Sequence, residues 1–344
     1  VDNFDAELSL SQPLYDFGRT SARVSQTRAG RESAEAALWA AREKAAYEAA
    51  TAFIAVKRMT ELVEAAEDNV HAHERVAELA RIRTDGGVGD ATEKGLASVR
   101  LGESESARED ARGNLRIARN RYANKVGAEP PEVLGDVPNL PLLFRTEGSL
   151  ETLVYQAPTV ESARARERSA LAGARFQKAE LFPRLEAVAY ARTYNHMDKV
   201  DTGIGIRLVG PTFTGLSSFE RVQAAGLQAE SARWQAETAR RDVVLRIRDL
   251  IERTPTLEEQ LAILEVQLKE ALVLRDLYED QFKLGRRSLV DFLNIQADIH
   301  RVARTQVNTL YDLFELQYAA AEGLGRLQVS LAIDTADNVG EKSP

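Results

Sequence analysis

The densest set of metal-ligating side chains in this sequence is His71, His73 and Glu74. On a helix, residues two apart point roughly 200° away from each other, so one ion cannot be held by both histidines. They are expected to be exposed helix residues. His196 falls in a predicted β-turn and His300 in the last helix, neither with a partner to complete a site. The chain has no cysteine, which excludes disulfides and zinc–thiolate centres. No glycine-rich phosphate loop occurs, and no nucleophile sits in a recognisable catalytic setting. Arg286-Arg287 is a two-residue basic spot, far short of a nucleic-acid patch, and the net charge is -8. No enzyme activity, cofactor, metal or nucleic-acid partner is therefore expected. One acidic set has order: Asp291, Asn294 and Asp298 step by three and four and share one helix face. On residue types alone, Asp291 is a solvated helix charge.

The elements that carry these residues come from a duplication. Pro13 and Pro211 lie 198 residues apart, and the same offset pairs Leu8 with Ile206, Leu10 with Leu208, Tyr15 with Phe213 and Arg23-Val24 with Arg221-Val222. It also pairs Leu79 with Leu277, Gly87 with Gly285, Glu93 with Asp291 and Gly127 with Gly325. One register held over that length marks an internal repeat. Each copy opens with an alternating strand, Ala6, Leu8 and Leu10 in the first and Ile204, Ile206 and Leu208 in the second. A Pro-aromatic-Gly turn follows (Pro13 to Gly18, Pro211 to Gly215), then a long helical stretch, Arg19 to Arg83 and Ser217 to Lys283. At about 1.5 Å per residue these are rods on the order of 100 Å long. Glycine-marked turns (Gly86-Gly87-Val88-Gly89 and Leu284-Gly285-Arg286-Arg287) reverse the chain into return helices that stop at Gly127 and Gly325.

The second rod carries Leu257, Leu261, Leu264, Leu268 and Leu272 along one seam. Ile263, Val266, Leu274 and Leu277 lie roughly opposite. A helix with two apolar seams wants a neighbour on each side. Pro255 is expected to kink or break this rod. Between the copies, 128–148 reads as a linker, 149–181 as a helical stretch, and Arg184 to Tyr194 as a strand turned by Asn195 to Asp201 into the strand of copy two. The reading thus divides the chain into a first repeat (1–127), linker (128–148), helix plus strand (149–198), second repeat (199–328) and C-terminal tail (329–344). Copy two is preceded by a helix and a strand and copy one is not, so a matching segment is expected before Val1. Val1 opens the chain with no Met and no charged-then-apolar leader, so an export signal is expected to have been removed or never present.

No stretch approaches the roughly 20 apolar residues of a membrane helix. If the chain spans a bilayer it does so with strands, near residues 5–12, 184–194 and 202–210. Three strands cannot close a barrel, but several copies sharing one can. On composition alone (28% charged, 6% aromatic) a soluble coiled-coil scaffold fits better. The alternating strands at fixed places in a duplicated unit favour the membrane reading, because a scaffold has no need of them.

Leu8-Ser-Leu-Ser-Gln-Pro-Leu-Tyr-Asp-Phe-Gly18, Gly205-Ile-Arg-Leu-Val-Gly-Pro-Thr-Phe-Thr-Gly215 and above all Gln281-Phe-Lys-Leu-Gly-Arg-Arg-Ser-Leu-Val-Asp-Phe-Leu-Asn294 resemble the TolC family of bacterial outer-membrane efflux and secretion proteins. The likeness covers almost the whole chain. It implies a mainly α fold with a small β part: long helical hairpins forming a periplasmic tunnel, plus strands of a transmembrane β-barrel shared by a homotrimer. It implies a passive channel in outer-membrane lipid, and as partners a periplasmic adaptor and an inner-membrane ABC transporter. The Leu284 to Leu293 stretch is most like members serving type I secretion, including adhesin export; multidrug efflux is the alternative. The resemblance places a periplasmic gate at Asp291, Asn294, Arg287 and Phe282. Asn294 lacks the family's second carboxylate, and Phe282 lacks the hydroxyl that many members carry. It places adaptor-docking tips at Gly86, Gly87, Val88, Leu284, Gly285 and Arg286.

Overall fold

A computed structural model describes residues 6–87, 89–140, 150–194, 199–210 and 217–331. The chain runs β1 (Ala6–Tyr15), α1 (Arg19–Asp85), α2 (Ala91–Val126), α3 (Leu150–Tyr155), α4 (Pro158–Ala179), β2 (Arg184–Tyr194), β3 (Lys199–Val209), α5 (Ser217–Lys283), α6 (Leu289–Gly323) and α7 (Leu327–Ser330). The helices α1 and α5 are 67 residues each. Their first residues, Arg19 and Ser217, and their last, Asp85 and Lys283, stand at the 198-residue offset. The duplication is therefore visible in element bounds as well as in residues.

Three expectations need correcting. Pro255 does not break α5, which is helical from end to end. Proline removes one backbone donor, and the ladder on either side persists; Thr254 adds a bond from its Oγ1 to the Leu250 carbonyl (2.9 Å). The stretch 149–181 is two helices, because Pro158 forces Ala157 into an extended conformation (φ -63°, ψ 139°) and occupies the first turn of α4. The first strand continues through Pro13 to Tyr15 instead of turning there. An edge strand tolerates a missing donor, and a bulge between Pro13 and Tyr15 absorbs the irregularity. The turn that follows is Asp16 to Gly18; its predicted counterpart at Pro211 to Gly215, the hairpin turn at 195–198, and tail residues 332–344 lie outside the described residues.

Compactness divides the chain differently from the repeat. One unit comprises Val1–Ala41 and Leu150–Val244; the other comprises Arg42–Ser149 and Leu245–Pro344. The first unit holds an antiparallel sheet in the order β1-β2-β3. Its helical core is small-residue packing around Val154, Val160, Ala163, Ala165, Ala229 and Ala236. Asp16 accepts hydrogen bonds from the backbone N–H of Gly18 and Thr20 (3.1 and 2.7 Å), so α1 is capped within a few residues of the strand's end. Arg19 then pairs with Glu180 at 2.7 Å, tying the start of α1 to the end of α4.

The second unit has two apolar clusters. One joins Val76 and Ala80 of α1, Ala97 of α2, Phe282 of α5 and Leu289, Phe292, Leu293 and Ile295 of α6. The other joins Ile54, Tyr311, Tyr318, Ala321 and Leu327, with Val137 and Leu140 of the linker against it. The described part of that linker is strapped down: Leu140 N–H donates to Gln317 Oε1 (3.1 Å) and Tyr318 Oη to the Pro138 carbonyl (3.2 Å).

Candidate functional site

The sheet separates chemistry by face. Pairing sets Leu10 opposite Ala189 and Ala189 opposite Ile204, and Leu8 opposite Ala191. Leu8, Leu10, Ile204, Ile206 and Leu208 lie on this face and all are exposed, Ile204 at 91%. The opposite face carries Glu7 paired with Arg192, and Glu186 between Arg184 and Arg207. Glu7 and Arg192 are direct cross-strand partners, as are Glu186 and Arg207, so charge reinforces the register that alternation sets. The bulge turns Tyr15 opposite Leu185, onto the apolar face, where its ring meets Phe17 (4.7 Å) and Phe17 stacks on Phe182 (5.8 Å). An exposed apolar band, charges behind it and aromatics at its end are the layout of a lipid-facing sheet.

The hairpin ends lie in the other unit. Helix α5 closes by the N–H of Gly285 to the Phe282 carbonyl (3.0 Å) and of Arg286 to the Gln281 carbonyl (2.8 Å). This arrangement needs a left-handed residue, and Gly285 supplies it at φ +70°. Gly87 does the same for α1 at φ +73°, so the two tips share one stop at the 198-residue offset. Gly86 N–H returns to the Ile82 carbonyl at 3.0 Å. Leu284 is 70% exposed and Arg286 is also exposed, while Val88 lies outside the described residues.

Helix α6 begins at Ser288, whose Oγ accepts from the Asp291 N–H (3.1 Å) and donates to Asp291 Oδ2 (2.8 Å). Ser288 is thus the N-cap of α6, and the Asp291 carboxylate lies in the first turn, at the positive end of the helix. Arg287 places its guanidinium carbon 3.8 Å from the centre of the Tyr278 ring and brings Nη1 to 3.9 Å from Asp291 Oδ2. Asn294 and Asp298 are exposed beyond Asp291, and Asp298 pairs with Arg301 at 2.9 Å. Phe282 is elsewhere: its ring is fully buried, 5.9 Å from Phe292. Arg287 and Asp291 therefore come together, Asn294 extends their face, and Phe282 serves that surface from beneath as packing. Sequence reasoning missed Ser288 and Arg83. Ser288-x-x-Asp291 was readable as a cap, whereas nothing in sequence marks Arg83.

The histidines divide. His71 is exposed and bonded to Glu74 at 3.1 Å. His73, expected on the surface, is only 6% exposed, on a side of α1 where Ala72 and Val76 are buried too. Burial lowers the pKa of both His73 and His300, aided by Arg100 and Arg304 respectively. His196 lies outside the described residues.

On the seam of α5, Leu257, Leu261, Leu264, Leu268 and Leu272 are half-buried within the chain. Ile263, Val266, Leu274 and Leu277 are exposed. Long helical hairpins with an uncovered apolar seam, joined to strands with an uncovered apolar face, define the protomer of an outer-membrane channel that continues as a helical tunnel. The chain belongs to the outer membrane efflux protein family, whose sequence profile matches residues 1–128 and 150–321. It is 22% identical over 346 residues to the outer membrane efflux protein BepC of Brucella suis biovar 1 (strain 1330), covering 97% of this chain and 73% of BepC. Its fold matches crystal structures of CusC (TM-score 0.85, 14% identity, 94% of this chain and 78% of that one) and of VceC from Vibrio cholerae (TM-score 0.80, 17% identity, 94% and 86%). The protein is thus a TolC-like channel component of the outer membrane, extending into the periplasm, and not an enzyme. Such channels are trimers that work with periplasmic adaptors and inner-membrane transporters.

Proposed function

We propose that three copies of this chain form a passive efflux conduit, closed at rest by the second hairpin's tip and opened when a transporter-bound adaptor docks. The observation that carries this is the sheet: its apolar face is exposed, and β1 and β3 are its two edges. An unpaired strand edge is untenable in lipid, so each edge must be paired, by a further strand or by another copy. The exposed seam of α5 gives each copy a contact to its neighbour around one tunnel. In this reading Asp291 and Asn294 line the narrow end, contributing three carboxylates per trimer where two acids per chain would give six. Arg287 orients Asp291, Phe282 anchors the tip from below, and Gly86, Gly87, Val88, Leu284, Gly285 and Arg286 meet the adaptor.

The cargo reading that the relatives favour is small-molecule efflux. Type I secretion of a protein, an adhesin among them, is the second reading; it rests on the stretch Leu284 to Leu293. Deleting the gene and scoring drug susceptibility beside the secreted proteome separates the two. The channel itself is tested by native mass in detergent and by planar-bilayer recording of Asp291→Ala. A detergent-dependent trimer whose variant conducts more or loses cation preference supports the reading. A detergent-free monomer, or a variant with unaltered current and selectivity, removes the barrel or the gate respectively.

A further inference from the structure

Arg83 stands in the last turn of α1 and reaches across to the other hairpin. Its Nη1 donates to the Phe282 carbonyl at 2.7 Å, and its guanidinium carbon lies 4.3 Å from the centre of the Phe282 ring. Its Nε is buried with no acceptor, and among the described residues no carboxylate pairs with it. The last carbonyls of a helix have no donor from their own helix and carry the negative end of its dipole. A cation placed there is held by that field and by the face of the ring together. The same carbonyl already closes the turn by accepting from Gly285 N–H, so Arg83 grips the residue on which the tip of α5 reverses. The Phe282 ring is in turn fixed by Phe292, one residue beyond Asp291.

The duplication does not repeat this contact. At the 198-residue offset, Arg83 corresponds to Gln281 and Phe282 to Thr84, whose Oγ1 returns to its own helix at the Ala80 carbonyl (2.9 Å). The contact is therefore one-directional: the first hairpin holds the second, and only the second carries Arg287 and Asp291.

We infer that Arg83 is the positioning residue that latches the second hairpin's tip in its closed arrangement. Its grip joins a carbonyl and an aromatic face where the fold offers no ion pair. The inference rests on the reading of that tip as the gate. An opening motion that carries α5 away from α1 must break both halves of the grip at once, whereas outward movement of α1 and α5 together breaks neither.

The test is single-channel recording of Arg83→Met, Arg83→Lys and Asp291→Ala trimers in planar bilayers, with thermal melting of each trimer beside it. Methionine keeps the apolar stem and loses the charge. Removing one charge-assisted hydrogen bond should raise the open-to-closed ratio about tenfold. Lysine, which keeps the charge without the flat fork, should fall between. If Arg83→Met does not assemble, Phe282→Leu keeps the carbonyl and the apolar volume, loses the ring, and should show a smaller rise. A lower melting temperature with wild-type gating would make Arg83 a structural staple and overturn the proposal. Wild-type gating in Arg83→Met with altered Asp291→Ala currents overturns the latch and leaves the gate; no change in either removes both.

Discussion

Replacing His73 tests whether burial without a partner has a measurable consequence. Its ring is 6% exposed, its Nδ1 has no acceptor, and Arg100 adds positive charge beside it, offset in part by Glu103. Its folded pKa therefore lies below the ordinary imidazole value near 6.5. In the window between those two values the unfolded chain binds a proton that the folded chain refuses. Stability then rises with pH, and is lost as pH falls below about 6.5, at up to about 1.4 kcal/mol per pH unit. His300 adds a second contribution of the same sign: its Nδ1 is also unpaired, and it lines a groove of about 850 Å³. Glu43 and Glu315 act in the opposite sense, since burial raises their pKa and favours the folded state in acid. Comparing His73→Gln with the parent isolates the contribution of His73 together with its charge coupling to His300. The variant should be less stable at pH 8, because an amide is left in the imidazole's place. The gap should close as pH falls from 6.5 toward 5, by about 3–6 °C of melting temperature per pH unit for a unit of this size. Far-UV circular dichroism of the detergent-solubilised trimer reads this directly. A gap that stays constant across that range would refute the account of His73 as a buried, neutral, unpartnered imidazole.

Two further perturbations follow from the sheet and the seam. A Cβ on Gly203 would lie 2.7 Å from the Tyr190 ring, while one on Gly205 would meet nothing within 4 Å. Gly203→Ala should therefore cost about 1–3 kcal/mol and reduce the yield of assembled trimer; Gly205→Ala should not, and equal yields would show that Tyr190 moves aside freely. Ile263→Asp and Leu277→Asp place charge on the exposed seam of α5 and should abolish the trimer in light scattering while helical ellipticity persists. Trimer survival would assign that seam to solvent.

Features that depend on period and spacing were legible in the residues alone. Alternation at Leu8, Leu10, Ile204 and Ile206, the 198-residue offset, and glycines where only a left-handed residue can end a helix are local rules, and α5 begins and ends at the predicted residues. The N-cap at Ser288 was legible by the same kind of rule. Tertiary structure decided which of two equally apolar faces is used. Leu257 to Leu272 pack within the chain and Ile263 to Leu277 do not, a choice that depends on where α1 and α6 run. It also placed His73 inside and His71 outside, since two positions on one helix differ only in what the neighbouring helix covers. The Arg83 contact lay furthest from view: a guanidinium and a carbonyl 199 residues apart in sequence meet only because two hairpins end side by side. Propensity rules carry no information about a partner that distant, because packing alone brings the two together.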